Sequence, residues 1–391
     1  MSAYMRYAAV ALVAALAAGC GGPPGTPPPA PPSARQPLAK AKPRDDAEAP
    51  VTKAARAFTL VASGDILPSS ADVLATARRD AAGAGYDYRP MLADIQPVVS
   101  GADLALCHLA APLGPLSGPF TGYPVYQAPP QLATALKATG YDSCSTASNH
   151  VLDQGVPGVI RTLDALDTVG LRHVGSGRNA EEGVRPALLQ AEGGARVAQL
   201  AYTYGTDQKR RPASAPWTVN LISARRIIAD ARAARRAGAD VVVVSPHWGT
   251  GYRTAPTDEQ LRLARVLTAS TTDGRPDIDL ILGTHAHTPQ PYEKVNGTWV
   301  AYGLGDQISG AMRKPEGNWG TLARFRFAPP ERAGQRWRVT RAEYLPQLAE
   351  LGPPLRVRNL AGTSGHADVR TAIGTAVFSR GAGAEGLRRG W

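Results

Sequence analysis

Short apolar runs alternate with longer amphipathic stretches along the chain from Phe58 onward. Runs such as FTLVASGDI, ADVVVVSPHWG and IDLILGTHAH have the length and the apolar character of buried strands. The stretches between them start near Pro, Ser, Asn or Asp or end near Gly, as helices do. They are PPQLATALKATG, GVIRTLDALDTVG, NLISARRIIADARAARRAG and PTDEQLRLARVLTAS. This alternation predicts an α/β fold with a largely parallel sheet, in a domain that covers residues 57–350.

The last part of the chain departs from this alternation. TLARFRFAP and QRWRVTRAEYLP have strand-like patterns with no helix between them, which predicts an antiparallel portion that closes the domain. Beyond about Gly352 the periodicity weakens, and the chain ends in GAGAEGLRRGW. We therefore predict that residues 351–391 form a flexible C-terminal tail.

The N-terminal pattern is that of a targeting segment. Arg6 precedes an unbroken apolar run from Tyr7 to Ala18, which is too short for a membrane-spanning helix. Small residues lead from this run to Cys20, so residues 1–20 resemble a bacterial lipoprotein signal peptide in which Cys20 becomes the lipidated first residue of the mature chain. An ordinary cleaved signal with an incidental cysteine is the alternative.

The segment that follows has the composition of a spacer. Residues 21–56 are rich in Pro and Ala, and consecutive prolines favour an extended backbone that buries little surface. We predict a disordered spacer between the anchor and the domain. Lipid anchor and spacer together predict an extracytoplasmic protein that is attached to the cell membrane through its lipid.

Composition and charge narrow the class of protein. Of 391 residues, 43% are hydrophobic and 19% are charged, which supports a folded core and excludes a wholly disordered chain. No apolar run reaches the roughly 18 residues of a spanning helix, so the sequence does not fit a polytopic membrane protein. The formal net charge is +11, but residues 21–56 hold six basic against three acidic residues and residues 351–391 hold six against two. The net positive charge belongs mostly to these flanks. There it favours attraction to anionic lipid headgroups or wall polymer. No nucleic acid partner is expected.

Histidines collect where the predicted strands end. Five of the seven lie at or just past the carboxyl end of a strand, which is where open α/β sheets bind their ligands. A single histidine at such a place is more often structural, but five at equivalent depth favour one shared site. Asp65 closes the first strand and adds a carboxylate, and Asn149 adds an amide. The five are His108, His150, His247, His285 and His287.

The sequence His285-Ala286-His287 is the most specific of these signals. In an extended chain, residues i and i+2 project to the same side, so both imidazoles can face one metal ion. Mixed Asp, Asn and His ligands suit Zn, Mn or Fe better than Mg or Ca. Two such ions close together can polarise a phosphoryl oxygen and activate water. The nucleophile-elbow pattern G-x-S-x-G is absent, so a serine hydrolase is not expected.

Six short motifs follow one another between residues 58 and 310. They are Gly64-Asp65, then Asn149-His150 with Asp153 and Gly155, then Gly175-Ser176-Gly177 with Asn179 and Pro186, then His247-Trp248-Gly249, then Gly283 to His287, and last Tyr302 to Gly305. In this order they resemble the GD, NNHxxDxG, GxGxN, HWG, GHHPH and YSLGN motifs of the CapA family, which is named for poly-γ-glutamate capsule biosynthesis and is related to calcineurin-like metallophosphoesterases. The resemblance implies a metallo-dependent phosphatase-like sandwich of two β-sheets flanked by α-helices.

The resemblance also implies a metal site at the strand ends. It would hold one or two divalent ions of Mn, Zn or Fe, with His150 as the candidate catalytic residue acting as a general acid. The candidate metal ligands are Asp65, Asn149, His247, His285 and His287, with His108 and Asp306 as further potential ligands.

Four positions depart from the family pattern. The glutamates of its NLE and HWGxEY motifs fall on Ala110 and Gly251, the first histidine of HHPH falls on Thr284, and the asparagine of GN falls on Asp306. Two carboxylates are therefore missing from the expected site, which leaves less negative charge to offset two cations. We predict a partly degenerate metal site that binds one ion well and a second weakly or not at all.

Three functions are compatible with these features. The first is a CapA-like exported surface lipoprotein in the synthesis, export or anchoring of a capsule or poly-γ-glutamate-type anionic polymer. The alternatives are an active metal-dependent phosphoesterase and a pseudoenzyme that serves as an interaction module. The expected partners are accordingly an anionic cell-surface polymer or a phosphoester substrate, and the membrane through the lipid anchor.

Two cysteines fall on strands that the resemblance places side by side. A disulfide between Cys107 and Cys144 is permitted outside the cytosol. Cys107 directly precedes His108, whereas Cys144 stands five residues before Asn149, so the two cysteines differ in their distance from their motifs. We therefore expect buried free thiols.

Overall fold

The computed structural model describes residues 55–332 and 335–391. The predicted signal segment, the lipidation site Cys20 and nearly all of the predicted spacer lie outside the described residues, so these three remain predictions. Among the residues described, no helix is both long enough and apolar enough to cross a membrane.

The helices form largely where the amphipathic pattern predicts them. The four predicted stretches contain or overlap α4, α5, α7 and α8 of the following set. Within the described ranges the helices are α1 (Ala71–Asp80), α2 (Arg89–Leu92), α3 (Gln96–Ser100), α4 (Gln131–Thr139), α5 (Gly155–Thr168), α6 (Ala180–Val184), α7 (Ala224–Arg236), α8 (Asp258–Thr268) and α9 (Ala367–Phe378).

Strands β7 and β10 are shorter than the apolar runs that predict them, because these runs continue past the strand into a loop. The first ten in chain order are β1 (Phe58–Ile66), β2 (Leu104–Leu109), β3 (Ser143–Ser145), β4 (Arg172–Val174), β5 (Ala187–Gln190), β6 (Arg196–Thr203), β7 (Val241–His247), β8 (Thr271–Thr272), β9 (Arg275–Pro276) and β10 (Leu280–Leu282). The remainder are β11 (Tyr292–Val295), β12 (Thr298–Ala301), β13 (Asp306–Ile308), β14 (Trp319–Ala328), β15 (Arg338–Glu350), β16 (Arg356–Asn359) and β17 (Leu387–Arg389).

Two mixed sheets contain all of these strands except the small β8–β9 hairpin. The first has the order β16-β15-β14-β1-β2-β3-β4, with β13 beside the end of β1 and β17 beside β15. Strands β1 to β4 run parallel, and β14 to β16 are antiparallel neighbours, which confirms the predicted antiparallel closing portion. The second sheet has the order β11-β12-β10-β7-β6-β5, and its four central strands are parallel.

Side-chain alternation along the strands builds a four-layer sandwich. In β1, Phe58 and Leu60 face the second sheet and pack with Val241 and Leu280, whereas Val61 faces the helices outside the first sheet. The outer face of the second sheet packs against α7 and α8 in the same way. Helices therefore flank two packed sheets, and the predicted fold class is confirmed.

A bulge near the end of β1 sets the position of its carboxylate. The pairing register of β1 shifts between Ala62 and Asp65, where the partner on the other side changes from β14 to β13. A Cβ atom on Gly64 would lie 1.9 Å from the carbonyl oxygen of Gly305, so only glycine permits this approach. The bulge brings Asp65 level with Asp306 of β13.

The prediction of a flexible tail over residues 351–391 is wrong. Strand β16 pairs with the last residues of β15, and β17 pairs with an earlier part of the same strand. Helix α9 packs Ile373 and Val377 into the core between the sheets. The segment lacks a strong periodic pattern because its strands are very short and α9 is rich in Ala, Gly and Thr. Pairing with β15 supplies the order that the local pattern does not indicate.

The expectation of free buried thiols is also wrong, because the structure joins Cys107 and Cys144 in a disulfide. The two residues are direct register partners on the parallel strands β2 and β3. Strand β3 ends at Ser145, and a short loop leads from it to Asn149. This loop accounts for the unequal distances from the motifs that favoured free thiols.

Candidate metal centre and cleft

Asp65 occupies the centre of the candidate site, at the carboxyl end of β1. It is fully buried, and its Oδ2 accepts a hydrogen bond of 2.9 Å from the backbone N–H of His285. Its Oδ1 has no hydrogen-bond partner among the residues that the structure describes. Instead, Nε2 of His108 and Nδ1 of His247 each lie 3.5 Å from this oxygen.

The hydrogen bonds of His108 determine which ring nitrogen carries a lone pair. Ser145, its register partner on β3, lies with Oγ 2.7 Å from Nδ1 of His108. The Ser145 hydroxyl donates to the carbonyl of Cys107, so it accepts from Nδ1. Nε2 of His108 is then the unprotonated nitrogen, and it faces Asp65.

A chain of hydrogen bonds does the same for His247. Asn149 donates from Nδ2 to a carboxylate oxygen of Asp207 at 2.8 Å, which fixes the orientation of the amide. Its Oδ1 therefore accepts from Nε2 of His247 at 2.9 Å. Nδ1 of His247 is left as an acceptor, 2.9 Å from the hydroxyl of Thr284 and 3.5 Å from Asp65 Oδ1.

This first ligand group fits a divalent metal ion. Asp65, His108 and His247 are all buried and present acceptor atoms within 4.8 Å of one another. Oδ1 of Asp65 and Nε2 of His108 are buried acceptors without a hydrogen-bond partner among the described residues, and a cation between them and Nδ1 of His247 would satisfy both. Ligand atoms of a tetrahedral zinc site stand about 3.4 Å apart, close to the observed 3.5 Å.

A second ligand group shares Asp65 and adds His287 and Asp306. Nδ1 of His287 lies 3.0 Å from Oδ1 of Asp306, whose Oδ2 is buried and has no hydrogen-bond partner in the described part of the chain. In this contact, Nδ1 of His287 and Oδ1 of Asp306 are already hydrogen-bond partners of each other. An ion at this second position would have to replace that contact, which the first position does not require.

The loop after β10 does not have the extended backbone that the HxH spacing predicts. His285 and His287 have φ values of 91° and 56°, in the left-handed region that non-glycine residues rarely adopt. The expectation of an extended pair is therefore wrong. Both rings still reach the cleft, with centroids 5.8 Å apart, and the backbone of His285 holds Asp65.

His150 lies beside the metal groups rather than in them. Its Nδ1 contacts Oδ2 of Asp153 at 2.9 Å, and the same oxygen accepts the backbone N–H of Tyr126 at 2.7 Å. This leaves Nε2 as the free ring nitrogen of a histidine that lines the cleft. An imidazole oriented by a buried carboxylate is suited to proton transfer, and the role of His150 as a general acid stays a prediction.

Burial and neighbouring charges separate the protonation behaviour of these groups. Burial, reinforced by neighbouring histidines, lowers the pKa of His108 and of His285 to about 3 and that of His247 well below its usual value. Burial and then Asp306 raise the pKa of Asp65 to about 7. Burial alone would lower the pKa of His287, but Asp306 and Asp65 outweigh it and raise that pKa to about 9. Most imidazoles of the centre are therefore neutral and able to bind metal.

The site opens into a cleft of about 700 Å³. Its walls combine predicted site residues with groups from five further loops. Asn149, His150, His285 and His287 line the cleft together with Leu67, Ser70, Tyr123, Tyr126, Asp207, Gly251, Tyr252, Gly310, Ala311, Met312 and Arg313. Asp65, His108, His247 and Asp306 lie deeper and are buried.

The two positions that lack the family's carboxylates differ in their surroundings. Ala110 is buried in a small apolar cluster with Leu67 and Tyr126. Gly251 lines the cleft, and a Cβ atom there would meet only Cδ2 of His287, at an ordinary contact distance of 3.6 Å. A longer side chain therefore has space at position 251.

Several residues of the site were not predicted. Ser145 and Thr284 orient the two imidazoles next to Asp65, and Asp207 orients Asn149. Asp207 closely follows β6, so the strand-end rule that found the histidines also applies to it. Arg313 stands on a loop that carries no comparable signal.

A third group of potential metal ligands lies at the surface and has a different explanation. It consists of Asp167, His173 and Glu182, none of which lines the cleft. Arg178 donates hydrogen bonds of 2.6 Å to both carboxylates. The guanidinium already neutralises them, so this group is an ion-pair network.

Comparison with known proteins agrees with the motifs. The family model described as "Bacterial capsule synthesis protein PGA_cap" matches residues 59–311. The PGA biosynthesis protein CapA of Bacillus subtilis is 30% identical over 178 residues, which are 44% of this chain and 44% of that protein. A probable polyglutamine synthesis accessory protein of Mycobacterium tuberculosis is 32% identical over 194 residues, or 47% of this chain and 49% of that protein. The chain thus spans about half the length of these relatives.

Solved structures resemble this chain only distantly. A putative 5′-nucleotidase from Staphylococcus aureus aligns at 15% identity with a TM-score of 0.44, over 81% of this chain and 58% of that one. This likeness supports no inference about activity. The family match covers more than half of the chain, and the chain belongs to the bacterial capsule synthesis protein PGA_cap family.

Proposed function

We propose that this chain acts in the synthesis, export or anchoring of an anionic polymer at the cell surface, and that its cleft binds a divalent metal ion. Family membership and the names of the two relatives support the first half of the proposal. The second half rests on one observation, the convergence of three buried acceptor atoms at Oδ1 of Asp65.

The primary ion would be held by Asp65, His108 and His247, while the Asn149 amide holds the other ring nitrogen of His247. Nitrogen and oxygen ligands of this kind suit Zn, Mn or Fe. Such an ion supplies Lewis-acid polarisation of a phosphoryl or carbonyl oxygen. The protein's own contribution is to hold neutral imidazoles in fixed tautomers through Ser145 and Asn149.

A second ion would bind more weakly, at Asp65, His287 and Asp306. The His287–Asp306 contact must open to admit it, and the glutamate that the family pattern places nearby is Gly251 in this chain. A further ion also brings more positive charge next to the first than one shared carboxylate offsets. This supports a site that is partly degenerate rather than lost.

Hydrolysis of a phosphoester is the second candidate function. The His150–Asp153 pair favours it, because a cleft histidine oriented by a carboxylate can donate a proton to a leaving group. A pure interaction module is less well supported, since such a role does not require the hydrogen bonds that orient four of the five imidazoles. Attachment to the membrane through lipidated Cys20 remains part of the proposal.

A hydrolase assay with a polymer-binding measurement separates these functions. The protein is loaded with Mn²⁺ or Zn²⁺ and tested on p-nitrophenyl phosphate and its diester, with His285→Ala as the site variant and His173→Ala, which lies outside the cleft, as the matched control. Activity that is lost only in His285→Ala supports the phosphoesterase. Retention of poly-γ-glutamate by metal-loaded protein without hydrolysis supports polymer handling, and failure to retain it contradicts that role.

A further inference from the structure

One cation at the mouth of the cleft has no acidic partner. Arg313 lines the cleft and is exposed, and it makes no ion pair with any carboxylate in the described ranges. Its guanidinium carbon lies 5.1 Å from the ring centroid of Tyr252, a cation–π contact that fixes the position of the charge without neutralising it. An oriented and unneutralised guanidinium is a binding group for carboxylate or phosphate.

Tyr252 connects this cation to the candidate metal centre. Its ring centroid lies 5.5 Å from that of His287, so Tyr252 contacts both Arg313 and the candidate metal ligand His287. The backbone N–H of Tyr252 donates to the carbonyl of Ala286 at 2.7 Å, which ties the tyrosine to the histidine loop. The guanidinium is thereby held at a defined offset from the centre.

The surface beside Arg313 and Tyr252 is apolar. Met312 packs against the small cluster that contains Leu67 and Tyr126, and the Tyr126 ring lies 4.6 Å from that of His150. Asp207 lines the cleft as well and carries negative charge. An anionic ligand is therefore favoured along the Arg313 side, with aliphatic groups against Met312 and Tyr126.

We propose that Arg313 is the specificity-determining cation of the cleft. It binds a second anionic group of a ligand whose first anionic group lies at the metal centre, with an aliphatic segment between the two. The proposal rests on the proposed metal centre, and it restricts the ligands of that centre to molecules with at least two anionic groups. Repeating anionic chains satisfy this condition and simple monoanions do not.

Calorimetric titration of the metal-loaded protein tests the proposal. The probes are a γ-linked glutamate pentamer and the same pentamer with all but one carboxylate converted to amide. The intact pentamer is expected to bind at least tenfold more tightly than the amidated one. Arg313→Gln is expected to lose at least tenfold in affinity for the intact pentamer and to leave binding of the amidated one unchanged. Arg313→Lys keeps the charge without the planar fork and should fall between the two.

Lys314→Gln is the matched control, because it removes the same charge from the neighbouring exposed residue, which does not line the cleft. It should change affinity by less than twofold. Equal losses in Arg313→Gln and Lys314→Gln, or no loss in either, would overturn the proposal. Propane-1,3-diol bisphosphate in the same titrations distinguishes a phosphate ligand from a carboxylate ligand. Whichever of the bisphosphate and the pentamer resembles the natural ligand should lose more affinity in Arg313→Gln.

Metal content keeps this test separate from the proposed function. Arg313 contacts no candidate metal ligand, so Arg313→Gln should retain the metal content of the unaltered protein. If the unaltered protein binds no metal, the proposed function fails first. If it binds metal but does not discriminate between the two pentamers, only the role of Arg313 fails.

Discussion

The carboxylate of Asp65 illustrates how one residue can organise a site. One oxygen is fixed by the His285 backbone and the other faces His108 and His247, and the residue belongs to both candidate ligand groups. The strained left-handed backbone of His285 is what brings its N–H to Asp65. The conformation of the His285 loop and the orientation of the Asp65 carboxylate therefore depend on each other. Both are set by contacts within the protein.

Gly251→Glu tests the idea that a missing carboxylate weakens the second ion. A Cβ atom at position 251 meets only Cδ2 of His287 at 3.6 Å, so a glutamate can enter the cleft beside the second ligand group. We expect affinity for a second Mn²⁺ ion to rise about tenfold, as measured by titration with a competing chelator. Gly251→Gln adds the same volume without charge and should not raise it. Equal effects of the two substitutions would contradict the explanation.

The His287–Asp306 contact predicts how the stability of metal-free protein depends on pH. The pKa of His287 is raised from 6.5 to about 9, so the native state binds more protons than the unfolded chain between these values. This stabilisation is fully present below pH 6.5 and is lost as pH rises through 9. In chelator, the free energy of unfolding should fall by on the order of 2 kcal/mol between pH 7 and pH 9.

Urea unfolding at the two pH values measures this change. His287→Gln should flatten the pH dependence, because glutamine does not titrate. His173→Gln, which replaces a histidine outside the cleft, should leave the dependence as it is. A fall in stability that is identical in His287→Gln would assign it to other groups.

At the level of single residues, the sequence predicts positions well and conformations poorly. Asp65, His108 and His247 were identified because parallel strands bring their carboxyl ends to one edge, a rule that needs no side-chain detail. The backbone of the His285–His287 loop and the stacking of Arg313 on Tyr252 depend on contacts between distant loops. No local pattern encodes such contacts.

Among the elements, β2 and β3 are joined both by the Cys107–Cys144 disulfide and by the His108–Ser145 contact. The disulfide closes a loop with a sequence separation of 37 residues. Replacing both cysteines by alanine should lower the free energy of unfolding by about 3–4 kcal/mol, the loop-closure entropy for a loop of this size. Chemical denaturation of the double variant measures the loss.

A thiol count gives an independent check of the same element. Protein unfolded without reductant should react with Ellman's reagent at one cysteine at most, since only Cys20 lies outside the pair. Three reactive thiols per full chain would contradict the disulfide.

Helix α9 provides a second prediction at this level. Ile373 is fully buried between the sheets, so Ile373→Ala should cost about 2–4 kcal/mol of stability in urea unfolding. Thr375→Ala, on the exposed face of the same helix, should change stability by less than about 0.5 kcal/mol. If α9 were part of a flexible tail, both substitutions would have equally small effects.

Elements with strong periodicity were predicted, and elements stabilised by tertiary pairing were not. The sequence of α7 carries an apolar stripe between charged residues and was recognised as a helix. Strands β16 and β17 are three or four residues long and rich in arginine, so they lack the alternation of a half-buried strand. Their order comes from β15, which pairs with both.

For the whole molecule, the folded C-terminal segment changes where the net positive charge is located. Arg356 pairs with Asp80, and Arg380 pairs with Glu293, so basic residues after position 350 neutralise carboxylates of the sandwich. The excess charge attributed to a separate tail therefore belongs partly to the folded domain. The two sheets meet with β1, β2 and β7 ending at one edge, and the metal centre lies where both sheets contribute ligands.

Metal stoichiometry tests the central claim most directly. Elemental analysis of purified protein after dialysis should find one tightly held ion of Zn, Mn or Fe per chain. Asp65→Asn and His247→Ala should lose it, whereas Asp306→Asn, which alters only the second ligand group, and the control His173→Ala, outside the cleft, should keep it. Protein without bound metal under all loading conditions, two ions held equally tightly, or retention of the ion in Asp65→Asn would contradict the account.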